Sequence, residues 1–373
     1  MLIFLYAKDE LSFDQFHQQK HELYRITTTS TGPGGNTMKM GSTGMLPGPS
    51  FKKSIPEIDA FVRLQEDGYA VRKGTDVYQQ QAWNADSNFF SVFSFPLLEG
   101  DPQTALKEPY SVVLTEETAK KYFGTANALG KTLELKTDST FTPFIVTGIA
   151  KKPSQNSSIQ FQMLVPMTYR QLKADDKEWL NFYLHTFVVV KKGADTKGIE
   201  AKFAQVFQQE AALQLKEAAD KYGLKDKFQY GLQPFLEMHL SKDFRADNGL
   251  SHASNPVYSY ILSGIALFIF LIACINFINL TVARSLKRAK EIGIRKVVGG
   301  QRGQLIAQFL GESFILSFIA FVLALLLVNL LLPFFNELAN KTLAFSYLLD
   351  VKLVLGFVSM FYLPGCWQAF IRP

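Results

Sequence analysis

The chain is poor in cysteine and poor in charge. It has two cysteines in 373 residues, Cys274 and Cys366, and both fall in apolar stretches, which leaves the polar part with none. That excludes a disulfide-stapled extracellular module, the usual solution for small secreted domains. Charged residues make up 19%, against roughly 25% in soluble domains, while 47% are hydrophobic, which excludes a disordered or fibrous chain. Long segments have no formal charge at all: 248–283, 313–336 and 353–371. A catalytic set is missing too. No segment gathers a nucleophile, a base and an orienting group, so the chain reads as non-enzymatic, with no catalytic, cofactor-binding or metal-binding residues.

The charge that is present is concentrated. Between Arg284 and Arg302 stand Arg284, Lys287, Arg288, Lys290, Arg295, Lys296 and Arg302 against one acid, Glu291. That block alone accounts for the net charge of +6, and the rest of the chain balances. A nucleic-acid surface spreads its basic residues over a folded face or stripe. One short block with apolar stretches on both sides does not fit, so nucleic acid is excluded as a partner.

Residues 257–283 read VYSYILSGIALFIFLIACINFINLTVA, and 313–336 are rich in Leu, Phe and Ile. A membrane helix needs about 20 mostly apolar residues, and a soluble helix of that length with no polar face is rare. Both are therefore read as spans through a lipid bilayer. A third, incomplete span is placed at 353–371, where Pro364, Gly365 and Gln368 interrupt the run. Short loops rich in Lys and Arg stay cytoplasmic, so 284–304 is assigned to the cytoplasm and 8–256 to the outside. The opening MLIFLYA, before Lys8, lacks the basic start of a signal peptide and only just reaches its apolar core of roughly 7 to 15 residues.

Residues 8–256 read as an α+β domain. Helical patterning covers Asp14–Tyr24 and Thr115–Phe123, with a longer amphipathic helix or a pair over Thr196–Tyr222. LELKT (133–137), FIVTGIA (144–150) and TFVVVKK (186–192) read as strands. Gly and Pro clusters at 32–35 and 44–49 mark loops, and the polar stretch 241–256 reads as a flexible connection.

Five features invite chemistry and are better read as structure. GTANALGKT (124–132) is one residue too long for a phosphate loop. It also follows a helix and leads into a strand, the reverse of that motif's context, and so reads as a turn. His17 and His21, with Glu22 adjacent, could set two metal ligands on one helix face, but no third ligand accompanies them, so they read as a solvated face. Asn156-Ser157-Ser158 fits a glycosylation acceptor and is short enough to recur by chance. Asn276 and Asn279, beside Thr281, fit helix packing within a span, and Glu312 stands at the cytoplasmic start of the next span.

The basic block reads as a helix over 284–298 stopped by Gly299-Gly300, with Leu286, Ala289, Ile292 and Val297 approximating an apolar face. It can rest on anionic lipid headgroups or dock another protein, and composition does not separate the two. RAKEIGIRKVVGGQ (288–301) closely resembles the cytoplasmic motif after the second span of MacB/FtsX-like ABC transporter permeases. LSFDQFHQQKHELYRI (11–26), WNADSNFFSVFSFPLLEGDPQTAL (83–106), VVLTEETAKKYFGTANALGKTLEL (112–135) and FIVTGIAKKPSQNSSIQF (144–161) resemble the extracytoplasmic domain of the Bacteroidetes-type branch of that family.

The resemblance implies a membrane protein with a MacB-like α+β periplasmic core over 8–256, followed by an FtsX-like helical transmembrane domain over 257–373. It implies a bacterial inner-membrane, multi-pass permease subunit of an ABC transporter, serving export or extraction of a substrate. ATP would be bound by a separate ATPase subunit, whose movement would reach the external domain by mechanotransmission. Arg288, Glu291, Ile292, Gly293, Arg295, Lys296, Gly299 and Gly300 would couple to that ATPase. Further implied partners are a second permease, in a homo- or heterodimer, and an outer-membrane or periplasmic protein. MLIFLYA resembles the end of the family's first span and FYLPGCWQAFIRP departs from its usual close, so the chain reads as truncated at both ends, with 1–7 a remnant of the first transmembrane helix. Two other readings stand beside this one: a non-transporting FtsX-like regulator of cell-wall hydrolases or peptide sensing, and an anchored extracytoplasmic binding or scaffold protein. The substrate is not legible.

Overall fold

The computed structural model describes the chain outside residues 137–139, 175, 245–249, 251–253, 298–301, 340, 342 and 345–373. The chain divides into two compact units, one of Met1–Leu11 with Pro256–Pro373 and one of Ser12–Asn255. The first opens with helix α1 (Leu2–Leu11). The second runs through β1 (Leu23–Thr31), β2 (Thr37–Met40), α2 (Pro47–Ser54), the hairpin β3 (Ile58–Lys73) and β4 (Asp76–Ala85), and α3 (Phe89–Val92). Then come β5 (Leu97–Gly100), β6 (Ser111–Thr115), α4 (Glu116–Phe123), β7 (Thr132–Lys136), β8 (Phe141–Ala150), β9 (Met163–Pro166) and α5 (Met167–Lys173). It closes with β10 (His185–Val190), α6 (Thr196–Glu210), α7 (Ala212–Tyr222), β11 (Lys227–Pro234) and a 3-10 turn at Phe235–Glu237. The first unit resumes with α8 (Pro256–Val297) and α9 (Arg302–Ala339).

One sheet organises the second unit, in the order β11-β1-β10-β3-β4-β9-β6-β8-β5, with β2 on β1 and β7 bridging β3 and β8. Its pairs are antiparallel except β4 with β9 and β6 with β8. β10, HTFVVV, is buried at every position. It lies between β1 and β3, where β-branched side chains fit a covered pleat. Helices α2 and α6 cover one core through Phe51, Phe203 and Phe207 with Trp179 and Tyr230, and the Phe51 and Phe203 rings stack at 4.1 Å. A second core joins Phe89, Phe93, Phe95, Phe161, Phe187 and Phe235. A third packs Ala119 and Tyr122 of α4 against Val112, Phe144 and Val146.

Helix α4 shows how local chemistry sets an element. Thr115 caps it by accepting the Thr118 N–H at 3.3 Å, Glu116 and Glu117 occupy its first turn, and Lys120 and Lys121 its last. Gly124 ends it at φ 72°, in the left-handed region. The GTANALGKT stretch is thus a helix stop and a turn leading into β7, as its context suggested. The 196–222 segment is a pair of helices, and the expected strands at 133–137, 144–150 and 186–192 appear as β7, β8 and β10 within a residue or a few at each end.

Four expectations are corrected in whole or in part. Asp14–Tyr24 is not a helix: turns occupy the segment until β1 begins at Leu23. Asp14 sits at φ 58°, its N–H donates to the Asn156 carbonyl at 2.9 Å and its carboxylate accepts the Ser158 N–H at 2.8 Å, so the segment is tied to a distant loop and not to a helix of its own. Consequently His17 is not on a solvated face; it is buried among Phe93, Phe95 and Phe235, while His21 is exposed. The 44–49 cluster is a loop only to Leu46, since Pro47 opens α2, a position that suits its fixed φ and missing N–H. The 241–256 connection is partly tied down: Leu250 is buried in the second core, and the Ser254 N–H donates to the His239 carbonyl.

Candidate functional site

The basic block is the end of a helix that begins as an apolar one. Pro256–Leu280 is long and apolar enough to cross a membrane, and α8 continues without interruption to Val297. At 1.5 Å per residue the continuation spans about 25 Å. Helix α9 mirrors it, starting at Arg302, with its own apolar stretch over Phe314–Ala339. These two stretches coincide with the two spans read from sequence. The third, at 353–371, lies outside the described residues, as do Gly299 and Gly300.

Arg288, Glu291, Ile292, Gly293, Arg295 and Lys296 all lie on the α8 continuation. On a helix of 3.6 residues per turn, positions 284, 288, 291 and 295 fall in one stripe. That stripe holds Arg284, Arg288, Glu291 and Arg295. Positions 286, 289, 293 and 297 form the opposite stripe: Leu286, Ala289, Gly293 and Val297. Asn276 and Asn279 are exposed on the apolar part of α8.

Helix α1 is fixed to this unit by packing and by charge. Leu5 and Tyr6 meet Val328 and Leu332 of α9, with Leu343 beyond it. Lys341 places its ammonium 2.9 Å from Asp9 and 2.5 Å from Glu10. The two carboxylates are 6% and 1% exposed as residues. Burial pulls the Lys341 ammonium down, but its bonds to Glu10 and Asp9 outweigh this and hold its pKa above the usual lysine value. Asn336 brackets the turn, donating to the Leu343 carbonyl and accepting its N–H.

The second unit holds a buried polar cluster with no sequence signal of its own. Asp14 is 1% exposed, and burial raises its carboxyl to about 6, against opposition from Ser158 hydrogen bonding and the charge of His239. His17 takes the Ser94 N–H on Nδ1 at 3.0 Å, and burial pushes its pKa down to about 4. Among the described residues no group of three His, Cys, Asp or Glu could hold a metal ion. The glycosylation-like triplet is structural: the Asn156 amide donates to Ser12, and Ser157 and Ser158 are buried.

Two family models match successive parts of the chain. Residues 1–206 match the MacB-like periplasmic core domain, and residues 263–366 match the FtsX-like permease C-terminal region. The uncharacterized ABC transporter permease YvrN of Bacillus subtilis is 24% identical over 269 residues, covering 70% of this chain and 59% of that protein. The macrolide export ATP-binding/permease protein MacB of Salmonella paratyphi A is 24% identical over 300 residues, 75% of this chain and 40% of its own length. The chain thus spans about half the length of these curated relatives. A crystal structure of a domain assigned to a permease protein of Porphyromonas gingivalis superposes with TM-score 0.50 at 18% identity, covering 59% of this chain and 92% of that domain; the fold of the second unit is shared. With its two long apolar helices, this is a membrane protein with an extracytoplasmic segment. The chain belongs to the family that joins a MacB-like periplasmic core domain to an FtsX-like permease region.

Proposed function

We propose that the chain is the permease subunit of an ABC transporter, without ATPase activity of its own, relaying the movement of a separate ATP-binding subunit to Ser12–Asn255 outside the membrane. One observation supports this most: α8 runs unbroken from Pro256 to Val297, so a rigid rod joins the basic motif to the chain just after the second unit. The basic block sets the orientation, since loops rich in Lys and Arg stay cytoplasmic. In this reading Arg288, Glu291, Ile292, Gly293, Arg295 and Lys296 dock the ATPase, and Gly299 and Gly300 allow the chain to turn back. A second permease completes the pair, the chain is multi-pass in the bacterial inner membrane, and an outer-membrane or periplasmic protein receives the substrate.

Copurification tests the docking role. A neighbouring gene for an ATPase with a true phosphate loop is expected, and its product, coexpressed with the full chain, is expected to copurify. Replacing Glu291 and Arg295 together with Ala is expected to lower recovery about tenfold or more, because two charge-assisted contacts are lost. Unchanged recovery would refute the docking role. No recovery with the unaltered chain would favour an anchored binding or scaffold protein.

A further inference from the structure

Within Ser12–Asn255 the two ends of the unit are built on the same aromatic core. At the incoming end, His17 packs edge-on against Phe93, Phe95 and Phe235, and Phe16 against Phe95. At the outgoing end, Phe235 packs on Phe93 and Phe187. The ends also meet directly. The rings of Phe13 and His239 are parallel within 2°, with centroids 3.3 Å apart, and both residues are buried. Each end is pinned close to a helix along the chain. Asn156 holds Ser12, the residue after α1. The Ser254 N–H, two residues before α8, donates to the His239 carbonyl at 2.6 Å.

Asp14 is the strained member. Its N–H donates to the Asn156 carbonyl at 2.9 Å and its Oδ1 accepts the Ser158 N–H at 2.8 Å, while the carboxylate is almost wholly buried and the Ser158 and Ser157 side chains only partly offset that burial. A charged oxygen in that position is costly, and the cost falls when the group is neutral or absent. His239 is the titratable group that acts on it, and His17 stands three residues along the same segment.

We infer that Phe13, Asp14 and His239 form a joint that makes the incoming and outgoing ends of the unit open and close as one cooperative element, held under tension by the buried Asp14 carboxylate. Separating one end from the core breaks the Phe13–His239 stack and so uncovers the other. Local opening in folded proteins occurs in contiguous cooperative units of this kind. The joint's role in a relay rests on the permease reading; its existence does not.

Hydrogen exchange on the full chain in lipid nanodiscs, without any ATPase, tests the joint. Opening free energies are read from peptides covering 12–18 and 235–241, with β6 as the reference. At pH 7.5, Phe13→Ala is expected to lower protection of both peptides by one common factor, about tenfold or more, and to leave β6 unchanged. Should that variant fail to fold, Asp14→Asn carries the test. Asparagine keeps the Oδ1 acceptor and suits the left-handed backbone, so both peptides are expected to gain protection by a common factor of about tenfold or more. Different factors for the two peptides, or a change confined to one, would overturn the joint. No gain in either with Asp14→Asn would overturn the tension. A failed ATPase copurification leaves this result untouched.

Discussion

Asp14 and His17 are both buried, and they titrate against each other. Asp14 is raised to about 6 from 3.8, so its contribution to stability is full below about 3.8 and is lost as pH rises through 6. His17 is lowered to about 4 from 6.5, so its contribution is full above 6.5 and is lost as pH falls towards 4. In the window between the two the effects nearly cancel, and the unaltered unit is expected to change little. Denaturant unfolding followed by tryptophan fluorescence, which Trp83 and Trp179 report from this unit, should separate them. Between pH 7 and 5, Asp14→Asn is expected to lose about 2 kcal/mol and His17→Gln to gain about 1 kcal/mol. Equal pH profiles for the two variants would contradict the opposed titrations. Arg63 and Asp86 offer a second residue-scale test. The guanidinium donates to both Asp86 oxygens, at 2.9 and 2.7 Å, and the Arg63 N–H donates as well. Asp86→Ala leaves a buried guanidinium without its carboxylate and should cost about 3 to 5 kcal/mol in the same assay; a loss under 1 kcal/mol would contradict it.

At the scale of elements, what was legible depended on whether the chemistry was local. Helix α4 has its cap, its charge order and its glycine stop within ten residues, and β10 is an unbroken β-branched run, so both could be read directly. The same holds for the apolar parts of α8 and α9. The 14–24 segment misled because Phe16 and His17, with Phe13 before them, serve contacts with 93–95 and 235–239 that no local pattern records. The joint was invisible for the same reason: its members lie more than two hundred residues apart. In the basic block the helix over 284–298 was legible from sequence, whereas its continuity with the apolar stretch from Pro256 needed the structure. Breaking that helix is the element-scale test. Ala289→Pro removes an interior hydrogen bond and costs about 3 kcal/mol locally. It is expected to reduce ATPase copurification as far as the Glu291 and Arg295 double replacement, with β6 and β10 exchange unchanged. Undiminished copurification would show that docking does not need the rod.

For the whole molecule, the net charge of +6 reduces to the block between Arg284 and Arg302, which in the proposed orientation faces the cytoplasm. With Cys274 and Cys366 replaced by Ser, single cysteines report sidedness. In intact spheroplasts, Ser285→Cys should resist a membrane-impermeant maleimide while Thr75→Cys, at the β3–β4 turn, reacts; the reverse labelling would invert the topology. The central claim is that movement at the α8 continuation reaches the second unit. The most direct measurement is hydrogen exchange of 12–18 and 235–241 in nanodiscs holding the full chain and its ATPase, with and without a trapped ATP state. An ATP-dependent change in both peptides is expected for the unaltered chain, and none for Ala289→Pro. A change that survives the broken helix, or no ATP-dependent change in the unaltered chain, would contradict the relay.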